Sequence, residues 1–231
     1  MARAAGDPAW RETLDRDGAV CCPAAADEAT CGQIEAALAH LPEDRAGVRL
    51  RDMVGLTPLI TVGSRIGGLA SAALGAAARP VRALLFDKSP AANWALGWHQ
   101  DRTIVVERRA DAPGFGPWTV KAGLIQVEPP FAIIEAMLTI RVHLDPVDAT
   151  NAPLAVIPGS HRLGRLASDG LDRLAETDGQ QLCLAERGDV WVYRTAIVHG
   201  SAAADPPRRR RVLQIDYAVA DLPPPLCWRG V

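Results

Sequence analysis

His99 and Asp101 stand two residues apart in Trp94-Ala-Leu-Gly-Trp98-His99-Gln100-Asp101, and a third imidazole, His199, lies far downstream in Ile197-Val198-His199-Gly200-Ser201. Successive side chains on a strand alternate faces, so His99 and Asp101 project together while Gln100 projects the other way. The apolar run Ala196 to Val198 before His199 suggests a second strand that closes the site. Two imidazoles and one carboxylate on one face of a metal leave three positions open, the arrangement of non-haem Fe(II) centres that activate O2. A bare His-x-Asp also arises from a buried histidine bonded to a carboxylate. The distal His199 and the run Arg208-Arg209-Arg210-Arg211 favour the metal. A guanidinium fork grips a carboxylate bidentately and stays charged at any relevant pH, as a 2-oxo acid cosubstrate requires at its end away from iron.

Four segments extend the pattern: Trp98-His99-Gln100-Asp101, Asn151-Ala-Pro-Leu-Ala-Val-Ile-Pro-Gly-Ser-His161, Gly188-Asp189-Val190, and His199-Gly200-Ser201 with Arg208 to Arg211. Together and in this order they resemble the phytanoyl-CoA dioxygenase family of Fe(II)/2-oxoglutarate oxygenases. The resemblance implies that His99, Asp101 and His199 hold iron, and that Ser201 and Arg210 hold the distal carboxylate of 2-oxoglutarate. Family spacing puts that arginine eleven residues after the second histidine, and four consecutive arginines leave Arg211 as the reserve. Arg141 falls where relatives often carry a tryptophan beside the cosubstrate, so it either adds a second anionic contact or touches substrate. The implied cofactors are Fe(II), 2-oxoglutarate and O2, and the implied reaction releases succinate and CO2 while a substrate C–H is hydroxylated. Halogenases of this type replace the carboxylate ligand by a small residue; Asp101 therefore favours hydroxylation. Two alternatives stay open: a cupin-type isomerase or hydrolase, which would not need the arginine after His199, and a non-catalytic protein that binds metal and 2-oxo acid.

The elements that must position these groups are legible from texture. Asp27 to Leu41 spaces apolar residues at three and four and is closed by Pro42, which predicts a helix, and Leu59 to Ala78 is similar but interrupted by glycines. From Pro80 onward eight short apolar runs read as strands: Val81 to Phe86, Gly97 to Ile104, Ala122 to Val127, Met137 to Leu144, Leu154 to Ile157, Gln181 to Leu184, Val190 to Tyr193 and Val212 to Ala218. Eight short strands suit a jelly roll, and the resemblance implies the same mainly β fold with flanking helices, the cupin-like double-stranded β-helix. One domain over 1–231 is expected, with 1–79 a mostly helical lead-in and 80–231 the jelly-roll core.

Candidate substrate contacts are Gln100, Trp118 and Lys121. The stretch Glu107 to Trp118 is long and rich in turn formers, and reads as a lid hinged at Gly114 and Gly116, with Phe115 and Trp118 as apolar covers. With such a lid, Arg109 and Lys121 would favour a substrate carrying a carboxylate or phosphate. His143 and His161 read as structural, the latter in a turn with Pro158-Gly159-Ser160.

Composition sets the outer bounds. A chain of 231 residues, 48% hydrophobic, can bury a sizeable core, and a net charge of −2 gives no general reason to expect nucleic-acid binding. Five cysteines, an odd number with Cys21 and Cys22 adjacent, argue for reduced thiols in the cytoplasm. Met1 to Pro8 lacks the apolar region of a leader, and no uncharged stretch reaches membrane-spanning length. The expected partner is a small-molecule substrate, without nucleic acid or membrane, and the oligomeric state is left open.

Overall fold

The computed structural model describes residues 8–42, 45 and 47–231; the first seven residues, read above as lacking a leader, lie outside them. In chain order the elements are α1 (Pro8–Asp17), β1 (Ala19–Cys22), α2 (Glu28–Leu38), β2 (Gly47–Leu50), α3 (Thr57–Ile60), α4 (Arg65–Leu74), β3 (Arg79–Lys88), β4 (Leu96–His99) and β5 (Ile104–Val106). They continue with β6 (Trp118–Lys121), β7 (Leu124–Val127), α5 (Phe131–Glu135), β8 (Leu138–His143), β9 (Leu154–Val156), α6 (Leu171–Asp178), β10 (Gln181–Cys183), β11 (Val190–Arg194), β12 (His199–Ser201) and β13 (Arg210–Ala218). A six-stranded sheet runs β1-β11-β8-β13-β3-β2, a four-stranded sheet β10-β9-β12-β4, and a three-stranded sheet β5-β7-β6. The fold is mainly β, as expected, and its ladders are antiparallel.

Alternation along the large sheet decides what lies on each side. Ala83 and Leu85 of β3, Leu213 and Ile215 of β13, and Ile140 and Val142 of β8 face outward into a core with Trp10, Ile34, Leu56, Ile66 and Leu69 from the helices. Each such side chain contributes about 1.5–3 kcal/mol when fully buried. In α2, Cys31, Ile34 and Leu38 recur at three and four to present one apolar stripe. The other face of the sheet meets the four-stranded sheet at one end, where Trp191 and Tyr193 pack on Leu154, Val156 and Ile197. At the other end the same face stays polar and lines a cavity.

Two features of the lead-in differ from expectation. The predicted helix over Leu59 to Ala78 is two helices, because Ser64 caps α4 by accepting a hydrogen bond from the Gly67 amide at 2.9 Å and so starts a new helix. The first 79 residues also supply β1 and β2, which extend both edges of the large sheet. Their four-residue lengths give too little periodicity to register in sequence. Among the described residues, no helix is long and apolar enough to cross a membrane.

Candidate metal centre and anion pocket

His99 ends β4 and His199 begins β12, and the two are direct cross-strand partners. Their ring centroids lie 4.2 Å apart. Nδ1 of His99 lies 2.8 Å from the Gly97 carbonyl and Nδ1 of His199 lies 2.9 Å from the Ile197 carbonyl. Each carbonyl accepts the Nδ1 proton, which fixes the tautomer and turns a bare Nε2 toward a common point. Burial, with His99 adding to it, pushes the His199 imidazole below its ordinary value, so it is neutral and fit to donate a lone pair.

Asp101 completes the group: its carboxylate and the two imidazoles offer ligand atoms within 4.8 Å of one another. The segment Gly97 to Ile104 is not one strand. The chain leaves the four-stranded sheet after His99 and joins the three-stranded sheet at Ile104. Charge therefore places Asp101. Arg82 Nη2 lies 3.5 Å from Asp101 Oδ2, while Arg82 Nε donates to Asp216 and Nη1 to the Thr103 carbonyl at 3.3 Å. Asp216 in turn accepts from Thr139 Oγ1 at 3.0 Å. Burial opposes ionisation of Asp101, but Arg82, His199 and His99 outweigh it and hold the carboxyl below its ordinary value. Apart from the 3.5 Å ion pair with Arg82, its buried Oδ2 makes no hydrogen bond, which leaves a lone pair that a divalent cation would take. Two imidazoles and one carboxylate form a donor set that suits Fe(II).

The same cavity, of about 350 Å³, ends in a cluster of cations. Arg210 and Lys88 sit directly opposite each other across β13 and β3, 2% exposed each. Like charges so placed repel, and they are rare without an anion to separate them. Lys88 Nζ donates to Ser201 Oγ at 3.2 Å and to the Ala202 carbonyl at 2.9 Å, and Arg210 Nη1 donates to the Ala152 carbonyl. Buried Arg141 stacks over Phe86 at 5.2 Å and reaches Gln214 at 3.3 Å. The Nε atoms of both Arg141 and Arg210 have no partner. A carboxylate is the group that this cluster lacks.

The family model described as phytanoyl-CoA dioxygenase (PhyH) matches residues 14–212. The chain belongs to this family. Its members use Fe(II) with 2-oxoglutarate and O2. No curated protein matches the chain. Among solved structures it is similar to AviO1 from Streptomyces viridochromogenes Tue57, at 20% identity and a TM-score of 0.68, with 96% of this chain and 99% of that one covered. It is also similar to EctD from S. alaskensis with 2-oxoglutarate and 5-hydroxyectoine, at 18% identity and a TM-score of 0.67, covering 95% and 78%. EvdMO1 gives 19% identity and a TM-score of 0.67 over 91% of this chain, which spans about half, 49%, of that protein's length. At these identities the likeness is one of fold, the double-stranded β-helix.

Two of the family's sequence segments serve as fasteners. In Pro158-Gly159-Ser160, Gly159 takes φ +80° and Ser160 Oγ accepts the Val198 amide at 2.9 Å, which pins the approach to His199. Asp189 accepts the amides of Ala24 and Glu186, each at 2.8 Å, and ties β1 to the turn before β11.

Of the four arginines only Arg210 and Arg211 lie on β13, and strand parity separates those two. Arg210 enters the cavity, whereas Arg211 turns out to Asp145 and Glu35, Arg209 to Asp87 and Arg208 to Asp148. Ser201, Arg141 and Lys121 also line the cavity. Gln100 and Trp118 do not. Gln100 is buried on the opposite side, where it donates to the Gly164 and Ala196 carbonyls at 3.0 and 2.8 Å and accepts from the Leu166 amide at 2.9 Å. Gln100→Ala is expected to destabilise the fold by about 1–3 kcal/mol for each buried group left unpaired, and so to lower the melting temperature, without changing substrate KM. A changed KM at an unchanged melting temperature would restore it as a substrate contact.

The lid expected over Glu107 to Trp118 is a wall. Trp118 pairs with Val127, and that face of the β6–β7 hairpin packs with Phe115, Ile104 and Val106 away from the metal. Glu107 donates its amide to the Cys227 carbonyl, and Arg109 stacks over Trp118 at 5.6 Å. Alternation sends Thr119, Lys121 and Gln126 to the other face. Lys88, Arg82 and Arg49 also line the cavity and were not singled out in the sequence. Two cations six residues apart, and so of one strand parity, in a largely apolar strand, as in Arg82-Ala-Leu-Leu-Phe-Asp-Lys88, were the available signal.

Proposed function

We propose that the protein is an Fe(II)- and 2-oxoglutarate-dependent dioxygenase that hydroxylates a small organic molecule. The observation that carries this reading is one cavity with a His99, Asp101, His199 donor set and, beyond it, a buried cationic pair with no anion. A cupin-type hydrolase or isomerase has no use for that pair.

When bound, the iron supplies the oxidation: 2-oxoglutarate loses CO2 to become succinate, and one oxygen atom of O2 enters a substrate C–H bond. His99 and His199 hold the metal through Nε2, with tautomers set by the Gly97 and Ile197 carbonyls. Asp101 stays ionised beside Arg82 and occupies the position that a halogenase leaves open for halide, which favours hydroxylation. Arg210 and Lys88 grip the distal carboxylate of 2-oxoglutarate, and Ser201, already bonded to Lys88, adds a hydroxyl. Arg141, 5% exposed, supplies a further positive charge where relatives often carry a tryptophan. Five unpaired cysteines support placing the protein in the cytoplasm.

Anaerobic addition of 2-oxoglutarate to the Fe(II) protein is expected to give the weak visible charge-transfer band of a chelated 2-oxo acid. A protein that binds Fe(II) and shows no such band would overturn the reading.

The site also predicts a pH dependence. Burial first, then Arg210 and Arg141, push the Lys88 ammonium down to about 7. An incoming dianion favours the charged form. Above pH 7 binding must therefore take up a proton, and affinity for 2-oxoglutarate should fall by up to about tenfold per pH unit. Stability of the ligand-free protein runs the other way. An unfolded lysine keeps its proton to about pH 10.4, so between 7 and that value the unfolded state binds more protons and folding strengthens as pH rises. Calorimetry at pH 6.5 and 8.5 checks the first trend and urea unfolding the second, and Lys88→Met should abolish both.

A further inference from the structure

Six cationic side chains line the cavity, namely Arg49, Arg82, Lys88, Lys121, Arg141 and Arg210, against Asp101 as the one acidic side chain among the described residues. Iron adds two more positive charges, and 2-oxoglutarate brings two negative ones. Arg82 is neutralised by Asp216 and Asp101. Lys88, Arg141 and Arg210 surround the end assigned above to the cosubstrate. Arg49 and Lys121 remain without an anion.

Arg49 sits in the middle of β2 and is paired in register with Leu84, which continues across the sheet to Gln214 and Arg141. Arg141 is thus three strands away, about 14 Å at 4.7–4.9 Å per strand, and the Lys88 row lies four residues along β3, about 13 Å at 3.3 Å per residue. The row that carries Arg49 is therefore well separated from the Arg210 and Lys88 row, which lies toward the other end of β3. The buried Nε of Arg49 has no hydrogen-bond partner, and no acidic side chain among the described residues pairs with its guanidinium. Burial and the neighbouring Arg82 both weaken its hold on a proton, so it sits in a field that an anion would relieve.

The β6–β7 hairpin closes over this end. Its turn has positive φ at Ala122 (52°) and Gly123 (76°), as the tight two-residue hairpin requires. The Arg51 guanidinium lies 3.2 Å from where a Cβ of Gly123 would be, so the hairpin tip rests against the end of β2. The cavity face of the hairpin carries Lys121 and Gln126.

Building on the oxygenase reading, we propose that the substrate is a small organic oxyanion, a carboxylate or phosphate ester, held by Arg49 with Lys121 at the end of the cavity away from the cosubstrate. Arg49 takes the oxyanion through its guanidinium fork, Lys121 adds a second charge from the hairpin, and the carbon to be oxidised is thereby set over His99 and Asp101. The whole cavity, about 350 Å³, is near the small end of ligand pockets. With 2-oxoglutarate inside it the substrate is compact.

The test is a panel of small carboxylic acids and phosphate monoesters, each with its neutral amide or alcohol counterpart. Each is titrated by calorimetry into the metal-free protein with 2-oxoglutarate saturating the Arg210 and Lys88 end, and then assayed for stimulated succinate formation with Fe(II), 2-oxoglutarate and O2. Binders are expected among the anions, with carboxylates or phosphates separating in the panel. Arg49→Gln should weaken the binding anion by about tenfold or more, with partial recovery in Arg49→Lys. Arg210→Gln, at a 2-oxoglutarate concentration raised to keep its end of the cavity filled, should leave that anion's affinity unchanged. Equal binding of the neutral counterparts, or anion affinity lost with Arg210→Gln and kept with Arg49→Gln, would overturn the proposal. The metal-free titration needs neither iron nor turnover. A missing visible band would therefore sink the oxygenase reading while the Arg49 result still decides this one.

Discussion

Asp101→Ala is expected to lose Fe(II) outright. The removal of a group that merely orients a metal ligand costs about 10–100-fold in affinity, and Asp101 is itself one of three donors, so the loss should exceed 100-fold and turnover should vanish with it. The fold should survive, because Arg82 keeps its bond to Asp216, which Thr139 also supports. His99→Ala should behave alike through the loss of a cross-strand imidazole. Anaerobic metal titration followed by unfolding of the same samples separates the two effects. Stoichiometric, tight Fe(II) binding by folded Asp101→Ala protein would remove the basis of the assigned centre.

Arg210→Ala should weaken 2-oxoglutarate by roughly 10- to 150-fold, the loss of a charge-assisted pair worth about 1.5–3 kcal/mol. It should not destabilise the ligand-free protein. The substitution removes one of two buried cations that face each other across β13 and β3, and Lys88 is relieved of a neighbour. Arg211→Ala supplies the contrast: its guanidinium binds Asp145 at 2.7 Å and Glu35 at 2.8 Å on the outer side, so it should lower stability by up to about 1 kcal/mol and leave 2-oxoglutarate affinity alone. The visible band, titrated for both variants, is the measurement. A crippled Arg211→Ala beside a silent Arg210→Ala would mean that the strand is shifted by one residue.

The sequence by itself pointed to the family and to the general kind of reaction it carries out. A His-x-Asp, a distant His-x-Ser and arginines about eleven residues later are residue types at spacings that can be read without a fold. The mainly β core was equally legible from short apolar runs between turn formers. Tertiary structure alone decided which neighbour of each motif faces the cavity. Side chains alternate with a period of two, so odd and even positions part Arg210 from Arg211, and Lys121 from Trp118, and a run of four arginines carries no mark of its own phase. Gln100 could not be placed from sequence either, since its partners come from the 164–166 turn and Ala196, far away in the chain. Lys88, Arg82 and Arg49 escaped notice for the same reason. A lone cation in an apolar strand reads as a solvated edge until the sheet order puts three such strands side by side with their polar faces turned to one enclosed space, where burial makes each unpaired charge a demand for an anion.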